Sequence, residues 1–160
     1  MQRKLIVQIS DAKVSNRCHD VLVTYSLGSC VGVCLYDHKE KIGGMLHYQL
    51  PTSKIDPKRA EDKPFMFADT GLKLLIDKLI SMGANKRRMQ IKAAGGSSMQ
   101  TGPQGFDIGK RNHLALRKIL WQNGMFIDSE DIGGQVARNM YLDILTGNCM
   151  VKTNSSLRNL

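Results

Sequence analysis

Two side chains in the first third of the chain can together do nucleophilic chemistry. Cys30 closes the stretch TYSLGSC (Thr24 to Cys30), and His47 lies further on, inside GGMLHYQLP. A free cysteine ionises near ~8.5, so a useful thiolate needs a base or a positive potential beside it. An imidazole supplies this as general base or as the imidazolium of an ion pair, and a third group must hold its other nitrogen. The Leu27-Gly28-Ser29 turn before Cys30 can expose the sulfur and aim backbone N–H groups, that of Cys30 among them, at a developing oxyanion. Gly28 and Ser29 are therefore candidate substrate-binding residues of the turn and oxyanion region. Thr24 can orient His47 through its hydroxyl or its backbone carbonyl. A second role for the pair is structural. Cysteine is among the most buried residue types, SCVGVCL has the composition of a core strand, and His47 sits between Leu46 and Tyr48. The residue pattern by itself leaves both roles open. Cys34 resembles a packing cysteine, and Cys18, beside His19, is a candidate for the more exposed thiol.

These residues must be carried by strands. Lys4–Ser10 alternates apolar and polar residues, and Val21–Tyr25 and Cys30–Asp37 are rich in β-branched residues. Lys41–Tyr48 follows the polar connector DHKEK, which predicts a hairpin with the preceding strand and brings His47 toward Cys30. Gly43 and Gly44 within it suggest a bulge or a close backbone approach. Leu50–Pro64 is a polar, proline-punctuated loop and the longest candidate for a mobile segment. A helix follows, with Asp69 or Thr70 as N-cap, an apolar face of Leu72, Leu75, Ile76, Leu79 and Ile80, and Gly83 at its C-terminal end. Met89–Ala94 is predicted as a strand. A second helix runs from Ile108 or Gly109 to Asn123, with Asn112, Leu116, Ile119 and Leu120 on one face and Gly124 closing it. A short strand and a glycine turn at Gly133-Gly134 come next, then a closing hairpin around Thr146-Gly147. Many short strands, two substantial helices and no regular βαβ alternation predict an α+β fold, a mixed sheet covered by helices.

Composition bounds the rest. At 160 residues, 42% apolar and 23% charged, the chain suits one globular domain spanning 1–160. The net charge of +9 is dispersed, in short clusters such as Lys86–Arg88, with no long basic run and no aromatic-rich RNA-binding signature. An anionic protein surface accounts for this charge as well as a nucleic acid does, so no specific nucleic-acid partner is expected. The four cysteines contain no CxxC pair, and the Cys30/Cys34 spacing fits no common zinc site, so no metal is expected. The start of the chain reads as neither signal peptide nor membrane span, which predicts a cytoplasmic protein with reduced thiols and no membrane insertion.

The blocks LGSCVGVCLYD, GGMLHYQLP, GGSSM, FDIGKRN, EDIGGQVAR and TGNCMVK resemble, in order, those of the CheD family, the chemoreceptor glutamine deamidases of bacterial chemotaxis. The resemblance extends from about Lys4 to Lys152. It implies that Cys30 is the nucleophile, His47 the general base and Thr24 the third member of the site. It also implies sheets packed in layers and flanked by helices, similar to the catalytic domain of cytotoxic necrotizing factor toxins. The substrate would be glutamine side chains on the cytoplasmic helical bundle of chemoreceptors, with no cofactor. A CheC-type response-regulator phosphatase is implied as a further partner, with a binding role as the alternative to turnover. One block departs from the family pattern, with Ser97 after Gly95-Gly96 where an alanine is expected; a small polar residue there should disturb packing little. Asn112 or Arg111 can line the rim of the site or belong to a helix N-terminal turn. Arg138 suits a buried ion pair better than a substrate contact, and Met99 or Phe106 suits either a docking surface or the core.

Overall fold

The computed structural model describes residues 1–98 and 107–160. Met99 and Phe106 lie outside this range. The described chain forms ten strands in two five-stranded mixed sheets, with the two long helices on the outer face of one of them. This is the layered α+β arrangement expected from the sequence.

One sheet contains β1 (Arg3–Ile6), β3 (Asp20–Leu27), β8 (Arg138–Asp143), β9 (Cys149–Lys152) and β10 (Leu157–Asn159), side by side in that order. The other has the order β2 (Asp11–Ser15), β5 (Ile42–Tyr48), β4 (Val31–Asp37), β6 (Met89–Gly95) and β7 (Ser129–Ile132). Strands β4 and β5 form the anticipated antiparallel hairpin, and β8 and β9 form the closing one. Strands β2 and β10 have no counterpart in the sequence-based expectation. Both are short and largely polar, and β10 is exposed throughout, so neither carries a clear apolar alternation.

Side-chain alternation sorts the second sheet into two cores. Val31, Val33, Leu35, Leu46 and Tyr48 face α2 (Ala68–Ser81) and α3 (Ile108–Gln122). Cys34, Tyr36 and Met45 point the other way, onto Leu22, Leu27, Met140, Leu142 and Cys149 of the first sheet. The glycines of β5 serve these close approaches. A Cβ on Gly43 would meet Tyr36 and Ile144 at about 3 Å, and one on Gly44 would press into Leu75.

Two helix details differ from expectation. The helix α2 begins at Ala68, and its N-cap Phe67 makes no side-chain cap bond. The Asp69 carboxylate instead accepts from the N–H and hydroxyl of Ser53, and the Thr70 hydroxyl donates to the Pro64 carbonyl. Both polar groups tie the helix to the preceding loop instead of capping it. Leu72, Leu75, Ile76 and Leu79 are buried as anticipated, whereas Ile80 is exposed because the covered stripe is narrower than its apolar one. Residues 50–64 are also more structured than a proline-punctuated loop suggests. They include a 3-10 turn at Ser53–Ile55 and the helix α1 (Pro57–Asp62), capped by the Asp56 carboxylate.

Candidate active site

Thr24 reaches the site by plain alternation from Leu22, in regular register with β8, and β3 turns irregular only after it. Leu22, Thr24 and Leu27 are all buried, a spacing that plain alternation forbids. The β3–β8 register shifts between Thr24 and Leu27, and Ser26 takes a left-handed φ of 58°. The bulge places Tyr25 and Ser26 outside and returns Leu27 to the core, so the strand extends past its expected end at Tyr25. The chain then leaves the sheet through Gly28, Ser29 and Cys30, all half-buried.

His47 lies on the inter-sheet face of β5, opposite Gly32 of β4. Cys30 is two residues before Gly32 and packs against the same inter-sheet core. Cys30 immediately precedes β4, whose Val31 pairs with Tyr48, so it enters the sheet beside the end of β5 that carries His47, with no hydrogen bond between the two side chains among the described residues. Gly32 keeps that face open, since a Cβ there would meet Leu27 and Met140 at 3.0 and 3.1 Å.

The first sheet completes the site. Thr24 Oγ1 lies 2.7 Å from His47 Nδ1 and also 2.7 Å from the carbonyl of Val7, just beyond β1. A hydroxyl has one proton and a carbonyl can only accept, so that proton goes to Val7. Thr24 Oγ1 therefore accepts from His47, which assigns the Nδ1–H tautomer and leaves the lone pair on Nε2. Nε2 is buried and has no hydrogen-bond partner among the described residues. Of the two routes open to Thr24, the hydroxyl is the one used.

Burial sets the electrostatics. It pushes the Cys30 thiol up to about 11, with the residue's own backbone N–H pulling the other way. It pulls the His47 imidazole down to about 4, and the Asp11 carboxylate on the adjacent strand opposes that pull. Near neutrality both groups are uncharged, so the arrangement suits a general base acting on a thiol and not a resting ion pair. Among the described residues no cluster of three or more His, Cys, Asp or Glu side chains is arranged to hold a metal.

The turn before Cys30 is held from behind. The Gly28 carbonyl accepts from the Ser97 N–H at 2.9 Å and the Cys30 carbonyl from the Gly96 N–H at 2.9 Å. The Ser29 carbonyl accepts from Asn112 Nδ2 at 3.0 Å. Gly95 has a φ of 112°, and a Cβ on it would collide with the Cys30 carbonyl oxygen, so only glycine fits. Ser97 is fully buried, donates to the Val136 carbonyl and accepts from Arg138, so its hydroxyl is built into a polar network. Arg138 is buried beside Asp131 and also donates to the Gly133 carbonyl, as its ion-pair assignment anticipated. Asn112 lies in the second turn of α3, whose N-cap is Asp107, and is buried rather than on a rim. The Val7 carbonyl and the Gly95–Ser97 turn had no sequence signal as site components, because backbone atoms carry none.

A thiol and an imidazole whose tautomer is fixed by a hydroxyl are components that a cysteine acyl-transfer site requires. Comparison with known proteins narrows the class. A model of the family described as CheD chemotactic sensory transduction matches residues 49–153. Relatives aligned over more of the chain include the probable chemoreceptor glutamine deamidase CheD of Solibacter usitatus (strain Ellin6076). It is 47% identical over 157 residues, 98% of this chain and 93% of the relative. The probable chemoreceptor glutamine deamidase CheD 1 of Syntrophus aciditrophicus (strain SB) is 47% identical over 150 residues, 94% of each chain. That of Symbiobacterium thermophilum is 41% identical over 151 residues, 92% of this chain and 90% of the relative. The chain belongs to the CheD family.

Proposed function

We propose that this protein deamidates glutamine side chains of chemoreceptors, with Cys30 as nucleophile, His47 as general base and Thr24 as the residue that orients it. The observation that carries this is the partnerless, buried Nε2 of His47, set opposite an Nδ1 committed to Thr24 and on the same face as Cys30. The names of the relatives supply the substrate class.

In the first step His47 Nε2 takes the thiol proton as the Cys30 sulfur attacks the amide carbon of a glutamine. The tetrahedral intermediate collapses when the imidazolium returns that proton to the amide nitrogen, which leaves as ammonia. A thioester between Cys30 and the glutamyl group remains. His47 then deprotonates a water that attacks the thioester, and the sulfur departs and is reprotonated from the imidazolium. The product is glutamate, and enzyme and proton count are restored. Two acyl transfers replace one difficult amide hydrolysis.

Each turnover adds one negative charge to the receptor's helical bundle, where repulsion between neighbouring helices can bias signalling. The chain's net charge of +9 suits docking on such an acidic surface. Docking of a CheC-type phosphatase belongs to the same proposal through the family resemblance, and competition between that partner and a receptor fragment tests it.

Incubation with a receptor cytoplasmic fragment should release ammonia and add about one dalton per converted glutamine. Replacing Cys30 with alanine should abolish both. Ammonia release retained in Cys30→Ala would overturn the nucleophile, and no mass change with the intact protein would overturn the activity.

A further inference from the structure

The carbonyls of three successive residues, Gly28, Ser29 and Cys30, are each held by a different donor, and only the middle one by a side chain. That side chain, Asn112, is fully buried and spans two strand ends. Its Nδ2 donates at 3.0 Å to the Ser29 carbonyl and at 2.8 Å to the Gln49 carbonyl, two residues beyond His47. Its own backbone carbonyl accepts from the Tyr48 hydroxyl at 2.6 Å, which locks this turn of α3 against β5. Its Oδ1 is buried with no partner among the described residues. An unpaired buried amide oxygen is costly, so an apolar residue would be the cheaper filler. What the carboxamide provides in return is its two N–H bonds.

We infer that Asn112 is a positioning residue for the oxyanion donor, acting through the Ser29–Cys30 peptide. In a trans peptide the C=O and the following N–H point in opposite directions. Holding the Ser29 oxygen toward α3 therefore turns the Cys30 N–H away from α3, and that N–H favours ionisation of the Cys30 thiol. The preceding peptide is held separately, by the Ser97 N–H on the Gly28 oxygen. A backbone N–H fixed in this way is a donor for a developing oxyanion. The bond to Gln49 fixes this peptide relative to the strand that carries His47. The inference rests on Cys30 being the nucleophile, as proposed above.

The test compares two reactions of Cys30 in a Cys18→Ser background, where the exposed thiol is gone. Acylation by p-nitrophenyl acetate passes through an oxyanion, whereas alkylation by iodoacetamide does not. Asn112→Asp is nearly isosteric but sets a carboxylate against two carbonyls. It should lower the acylation rate, and kcat on a receptor fragment, about 100-fold, the loss typical of one oxyanion donor. Alkylation per folded molecule should stay within threefold of the parent and KM within twofold. Asn112→Ala should show the same split, and Tyr48→Phe, which leaves both carboxamide bonds in place, a smaller one of about threefold. Acylation unchanged in the Asn112 variants, or acylation and alkylation falling together, would overturn the assignment. A parent protein that is acylated but releases no ammonia from receptors would instead fault the deamidase proposal while leaving the Asn112 comparison intact.

Discussion

Thr24 Oγ1 and His47 Nδ1 lie 2.7 Å apart across the gap between the two sheets, each on a strand of a different sheet. Because the Thr24 proton is committed to the Val7 carbonyl, this single contact determines which imidazole nitrogen is basic. Replacing Thr24 with valine keeps shape and volume but removes the acceptor, so the tautomer is no longer held. The kcat for glutamine deamidation should fall about 10²- to 10³-fold with KM little changed, in line with the cost of a wrong tautomer at related sites. Thr24→Ser should restore most of the rate, and nitrogen NMR of the imidazole should show protonated Nδ1 in the parent and in Thr24→Ser but not in Thr24→Val. Equal rates in Thr24→Val and the parent would remove Thr24 from the mechanism.

The pH dependence follows from a base held low. The acid limb of kcat/KM reports the free enzyme, so it should fall near pH 4 and not near 6.5. The Asp11 carboxylate raises the His47 value, hence Asp11→Asn should move that limb to still lower pH. A limb at 6.5 in the parent would mean that His47 is not the titrating base.

Stability carries the same signature. His47 binds a proton near 6.5 when unfolded and near 4 when folded, so between those values the unfolded chain holds more protons. Stability from neutral His47 is complete above about 6.5 and is lost as the pH falls toward 4, by about 3 kcal/mol at most. Asp20, held near 2 chiefly by Arg3, and Asp37, which burial pushes up but Arg88 and backbone N–H groups together hold near 2, lose their contribution at lower pH, between 3.8 and 2. Urea unfolding of His47→Gln against the parent should therefore differ in slope only in the upper window. Parallel curves from pH 7 to 4 would refute it.

Gly95 offers a steric test of the turn. Alanine there has to adopt a φ of 112° and push aside the Cys30 carbonyl. Gly95→Ala should cost at least about 1–3 kcal/mol in chemical denaturation. It should also lower kcat more than the loss of folded protein explains, since the displaced atom belongs to the nucleophile. Gly124→Ala provides the control: its φ is also positive, 70°, but a Cβ there meets nothing within 4 Å, so it should lose stability without loss of specific activity.

Arg138 joins Asp131, Ser97 and the Gly133 carbonyl under the same turn. Arg138→Met leaves Asp131 only the exposed Arg158, 3.6 Å away, and removes the donor to the buried Ser97 hydroxyl, so it should cost about 1–3 kcal/mol by urea titration. Arg138→Lys should recover only part of it, because an ammonium cannot reproduce the guanidinium fork. Full recovery by lysine would show that charge alone matters.

The β4–β5 hairpin, the core faces of α2 and α3, and the glycine turns follow from periodicity and from residues with narrow backbone preferences, information that is local to the chain. Cys30 and His47 were visible as a candidate pair for the same reason, since a hairpin register can be counted. The strand β2 was missed because its pairing with β5, not its composition, makes it a strand. Asp69 and Thr70 looked like caps until the preceding loop supplied better partners. Whether Thr24 would use its hydroxyl or its carbonyl, which imidazole nitrogen would be basic, and that Asn112 would sit behind the nucleophile were decided only by tertiary structure. Each depends on the packing of one sheet on the other, or of α3 on the turn, and so joins atoms distant in sequence through backbone carbonyls that no residue type encodes.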